Sequence, residues 1–167
     1  MLFCPLGTTA FANNDFYSTN TVAPKSTCSL WQQYSNQKKS SAPSNYQNPS
    51  WPTTNPELLA IPESDRWYNA SSRIGEYGTI AGPVRSVYQA KGSAGMPVFI
   101  NIGADYPSSE RAQVVLWAED VPYCEDMLHA IDHGGAWVAF TGQISLYNGV
   151  PEINFSDGPV SWTIWTR

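Results

Sequence analysis

The side chains able to do chemistry in this chain are few and scattered. His129 and His133 stand four apart, so on a helix they share one face with Asp126 and begin a metal site. Asp132 falls off that face, and no Glu separates the histidines as it does in a zinc protease. Two histidines near a helix C-terminus, where the backbone dipole favours cations, are the plainer reading. No Ser-His-Asp order, paired-carboxylate motif or Cys-His signature occurs. The chain therefore reads as non-enzymatic, with no cofactor and no metal. The run 91–95 (KGSAG) is rich in Gly but lacks the Gly-Lys-Ser/Thr ending of a phosphate loop, which leaves it a hairpin connection.

Rings and cations offer a second kind of chemistry. Single-stranded nucleic acid is held by flat side chains that stack on bases and by cations that meet phosphates. Tyr88, Trp117 and Tyr147 supply candidate rings, and Arg85, Lys91 and Arg111 candidate charges. Phe99, Asn101, Tyr106 and Asn148 complete the surface on which they would lie. Each has a plainer reading: Phe99 as core, Trp117 as core, the three cations as solvated charge.

The elements that must position these residues are strands. A first strand over 79–88 contains Gly82-Pro83, which marks a bulge or bend in a strand serving two sheets. Strands over 98–103 and 113–117 follow, then a helix over 120–133. In the fourth strand Ala136, Val138, Phe140, Gly142, Ile144 and Leu146 face one way, with Trp137, Thr141 and Ser145 opposite. Asn148-Gly149 predicts a type I′ hairpin. It returns the chain as a fifth strand in which Pro151, Ile153 and Phe155 alternate with Glu152 and Asn154. Val160, Trp162 and Ile164 make a closing strand. Three strands, a helix and a hairpin are the order of an all-β OB-fold, a five-stranded Greek-key barrel with its helix between strands three and four.

Three runs add a resemblance: 98–107 (VFINIGADYP), 114–120 (VVLWAED) and 141–153 (TGQISLYNGVPEI). They resemble a family of small bacterial OB-fold domains described as nucleic-acid-binding, often exported or lipid-anchored, and sometimes placed beside nuclease modules. The likeness covers about residues 73–165 and implies an OB barrel binding single-stranded DNA or RNA. Such barrels bind on the face of strands two and three and on the loops joining strands one to two and four to five. The implied site is thus Arg85, Tyr88, Lys91, Arg111, Trp117 and Tyr147, with binding that weakens steeply as salt rises. This chain departs from that description in its acidity and in having no nuclease beside the barrel.

Charge argues the other way. Residues 71–167 hold five cations (Arg73, Arg85, Lys91, Arg111, Arg167) against ten carboxylates, and so carry the whole net charge of −5. A barrel of that sign lacks the electrostatic footprint of most nucleic-acid binders. An exported accessory domain for an envelope protein or glycan is the alternative.

Length and composition set the organisation. The 167 residues suit one domain with a tail. Residues 71–167 form the barrel, and 13–70 form a low-complexity linker poor in aliphatic periodicity, ending in a short flap with Leu58, Leu59, Ile61 and Trp67. Residues 1–12 (MLFCPLGTTAFA) read either as a truncated export signal cleaved after Ala12, which would place the protein in the envelope or medium, or as a merely floppy apolar terminus; the first is the expectation. No stretch has the length of a transmembrane helix. Neither Cys4 nor Cys28 follows the small apolar box of bacterial lipid attachment. Once 1–12 is removed, Cys28 and Cys124 form one bridge or stand as two small apolar side chains.

Overall fold

Barrel closure depends on one long strand that changes partner. In the computed structural model, which describes residues 17–21, 51–52, 54–132 and 134–166, β2 spans Tyr77–Gln89. Its first half, 77–83, pairs antiparallel with β5 (Trp137–Tyr147), and its second half, 84–89, pairs antiparallel with β3 (Val98–Ile102). β3 pairs antiparallel with β4 (Ala112–Leu116), and β4 runs parallel to β6 (Val150–Asn154). β6 then pairs antiparallel with the end of β5, which closes a five-stranded ring. This mixed barrel has OB topology. β7 (Ser161–Thr166) lengthens the sheet along the free edge of β5, and β1 (Tyr17–Thr21) pairs with β7.

The expected bend lies slightly later than Gly82-Pro83. Both residues hold their register opposite Val138 and Trp137, and the shift falls between Val84 and Ser86, leaving Arg85 as the extra residue. Gly82 serves packing instead. A Cβ there would stand 2.7 Å from Ile102 Cγ2 and 2.8 Å from the Trp67 ring. Asn148 and Gly149, at φ 50 and 80, make the tight hairpin that their sequence predicts.

Alternation fills the barrel. Ile80, Ile100, Val114, Phe140, Ile144 and Ile153 are fully buried, and most of them share register rows that run from strand to strand. The helix expected over 120–133 is divided into a 3₁₀ turn, Val121–Tyr123, and α2, Glu125–Asp132. Pro122 sits in that first turn, where its missing N–H is tolerated. Met127, Leu128 and Ile131 bury one face of α2 in the core. His133 lies outside the described residues.

The flap is a short helix, α1 (Pro56–Leu59), followed by 3₁₀ turns at Glu63–Asp65 and Trp67–Arg73. Asn55 caps α1, accepting from the Glu57 and Leu58 amides at 2.9 and 3.2 Å. Leu58 and Trp67 are buried in the common core, whereas Leu59 is exposed. Trp51 joins them from the segment read as linker. Its ring stacks on Trp67 and meets Trp137 edge-on, so Trp137 is buried although it points out of the barrel. Tyr17–Thr21 is a second piece of that segment lying on the sheet. The rest of 13–50, the proposed export signal and Cys28 are outside the described residues.

Other details differ from the expected pattern. Leu146 is 56% exposed, because the end of β5 runs past the barrel toward the hairpin. Phe155 belongs to a 3₁₀ turn rather than to β6. Glu152, on the face that alternates with Ile153, is buried as well.

Candidate nucleic-acid interface

The pleat sends every second side chain out of the barrel, so register alone defines the outer face. One row runs Tyr88, Phe99, Val115, Asn154 across β2, β3, β4 and β6. The next runs Ser86, Asn101, Gln113, Glu152, Ser145 and reaches β5. Tyr147, opposite Val150, lies beyond it at the hairpin. Phe99 therefore sits on this face and is half-buried, which corrects its reading as core.

The second row is a polar floor. Asn101 Nδ2 donates to Ser86 Oγ at 2.9 Å, and Ser86 in turn donates to Asp105. Gln113 Nε2 donates to Glu152 Oε2 at 2.7 Å, while its Oε1 faces Arg111 Nη2 at 3.4 Å. Asn101, Gln113 and Glu152 are all buried. The sequence pattern draws attention to Asn101 but not to Gln113, Glu152 or Asp105. The signal for the first two is the register itself: the parallel β4–β6 pairing sets Gln113 beside Glu152.

Two of the three candidate cations are not available as isolated charges. Arg85 stands at the bulge and is half-buried. Burial holds its guanidinium below the usual arginine value, and the Asp105 carboxylate acts against that. Arg111 is lowered by burial too, with Tyr106 and then Asp105 acting in the opposite direction. Arg111 also donates to the Ser108 carbonyl and lies over the Tyr106 ring, 5.3 Å from its centroid. Lys91 is exposed on the connection from β2 to β3.

The rings divide by exposure. Tyr88 is 62% exposed, Tyr147 58% and Tyr106 73%. Tyr88 and Tyr147 close the ends of β2 and β5, so they stand on opposite sides of the polar floor. Trp117 is half-buried instead, held by a 2.9 Å bond from Nε1 to Asn154 Oδ1 and packed over Gly95. It acts as a fixed wall. Asn148 forms the turn beside Tyr147.

A second concavity lies on the outer face of β2, β5 and β7. This cleft of ≈ 540 Å³ is floored by Thr79, Thr141 and Ser161, and walled by the flap with Glu57 and Asp65. The Thr79 and Thr141 hydroxyls are 2.7 Å apart. Glu57 accepts from Trp165 Nε1 at 2.6 Å, and Asp65 pairs with Arg73. The lining contains two carboxylates and no cation.

Among the described residues no three His, Cys, Asp or Glu side chains converge on a point, and no helix is long and apolar enough to cross a membrane. Cys124 is a free, buried thiol whose pKa burial pushes up to about 12, with Asp120 adding to the effect. No protein-family model, curated protein or solved structure matches the chain. Its place among OB-like barrels rests on its own strand order.

Proposed function

We propose that this protein is a non-enzymatic binding module for single-stranded nucleic acid, with bases stacked on Tyr88 and Tyr147 and with Tyr106 and Trp117 flanking them. The observation that carries the reading is the pair of exposed tyrosines set on either side of a hydrogen-bonding floor, at the strand ends where OB barrels take their ligands. Stacking of this kind tolerates any base, because every base presents a π-face. Arg85 and Arg111 share the field of Asp105, so the phosphates contribute less than the sequence alone suggests. Binding then rests on rings and amides more than on counterion release.

A fluorescence titration with a labelled single-stranded oligonucleotide, at low and moderate salt, tests this. Saturable binding that Tyr88→Ala and Tyr147→Ala both weaken is the expected result. Absence of binding at low salt and micromolar protein overturns it. The alternative, an exported accessory domain for a glycan or envelope protein, is favoured by the hydroxyl-floored cleft over Thr79, Thr141 and Ser161. Binding of a neutral glycan that is lost in Thr141→Val would move the function there.

A further inference from the structure

We infer that the floor of the proposed interface selects bases bearing an exocyclic amine, with Glu152 as the accepting group; this rests on the single-stranded nucleic-acid reading above. Glu152 is only 6% exposed. A buried carboxylate is costly unless its oxygens are satisfied by donors. Its one hydrogen-bond donor among the described residues is Gln113 Nε2, which meets Oε2. No salt bridge among the described residues includes it. Arg111, at the neighbouring position, reaches Gln113 rather than the carboxylate. Oε1 has no such donor and is not sealed inside the barrel, so it is open to accept from a ligand.

The surrounding geometry says which ligand. A base held by Tyr88 or Tyr147 turns an edge toward the row formed by Ser86, Asn101, Gln113 and Glu152. Cytosine, adenine and guanine can each place an amine N–H against Oε1, the pairing by which acidic side chains recognise cytosine N4. Thymine and uracil carry their only ring N–H between two carbonyl oxygens, and both oxygens are repelled by a carboxylate. Phosphate is repelled as well. The bases are therefore directed inward and the backbone outward.

Cytosine and thymine are the informative pair, being pyrimidines of similar stacking area. Anisotropy titrations with equal-length dC and dT homopolymers should show tighter binding of dC by about tenfold. Glu152→Gln retains an acceptor for Gln113 but removes the negative charge. It should bring the two affinities within about twofold, chiefly by improving dT, if one good pairing sets the preference. A dC strand dimethylated at N4 offers no N–H and should lose the preference on the unaltered protein, which tests the inference even if the variant folds poorly. Equal binding of dC and dT overturns the selectivity while leaving the binding module intact. A preference that survives in Glu152→Gln or with the dimethylated strand removes Glu152 from the role. Failure of both homopolymers to bind overturns the module and the selectivity together.

Discussion

Gln113 Nε2 meets Glu152 Oε2 at 2.7 Å across the parallel pairing of β4 and β6, and both side chains are buried on the outer face of the barrel. Parallel pairing is what makes this contact: two strands far apart in sequence bring an amide beside a carboxylate. The bond ties the ring closed from outside, opposite the Val114 and Ile153 pair that ties it closed from inside.

Loss of the amide should be felt in stability. Gln113→Leu leaves the carboxylate without its donor and should cost about 1–3 kcal/mol in urea denaturation, the usual penalty for orphaning a buried polar group. Adding Glu152→Met should recover much of that cost, since removing both partners is often close to neutral. Additive losses in the double variant would mean that the two side chains act independently.

Gly103 tests how the flap is seated. Its φ is +80, and a Cβ there would overlap the Trp67 indole at Nε1 and Cδ1. Gly103→Ala combines a left-handed backbone with an overpacked contact and should destabilise by on the order of 2–4 kcal/mol. Gly75, also left-handed at φ +91, meets nothing within 4 Å at its Cβ position. The difference in denaturation midpoint between Gly103→Ala and Gly75→Ala reports the Trp67 contact apart from the backbone.

The barrel was legible in the sequence because its cues are local. The alternation of Val138, Phe140 and Ile144, the Asn148-Gly149 turn and the apolar runs around Ile100 and Val114 each need only a few residues to be read. Tyr88 and Tyr147 were legible as rings for the same reason, at the ends of recognisable strands. Asp105 and Glu152 were not. Their roles depend on partners brought from distant strands or from a folded-back loop, and a carboxylate in an alternating strand reads as solvated until the register covers it. Trp51 was legible only in part: as one aromatic in a polar segment it fits both a ring lying against the barrel and an ordinary linker residue, and the packing of Trp67 and Trp137 decides for the first.

Cys124 should be inert in the folded protein. The thiolate is the reactive form, and burial raises the thiol pKa from its ordinary 9.0 to about 12. Alkylation at mildly alkaline pH should proceed only after denaturant is added. The folded state keeps its proton above the point where the unfolded thiol loses it. The contribution to stability is therefore complete below pH 9 and is lost as pH rises toward about 12. Removal of this site by Cys124→Ala should flatten that alkaline decline; an unchanged decline would assign it to other groups.

Salt separates the two ways this face can hold a nucleic-acid strand. If Arg85, Lys91 and Arg111 each neutralised a phosphate, log affinity would fall with log salt at a slope of roughly −2, from about −0.7 per contact on single strands. Asp105 faces both arginines, and Arg111 is already engaged with Ser108, Gln113 and Tyr106. With the arginines so placed, the slope should be shallower, on the order of −1. Lys91→Ala should reduce it further without abolishing binding. Tyr88→Ala and Tyr147→Ala should leave the slope unchanged while weakening affinity by about 1–3 kcal/mol each, the usual worth of a stacked base. Asp105→Asn supplies the converse, because it removes a negative charge whose field both arginines share and should steepen the slope. A steep slope in the unaltered protein, or tyrosine variants that alter the slope and not the affinity, would show that phosphates rather than bases dominate the contact.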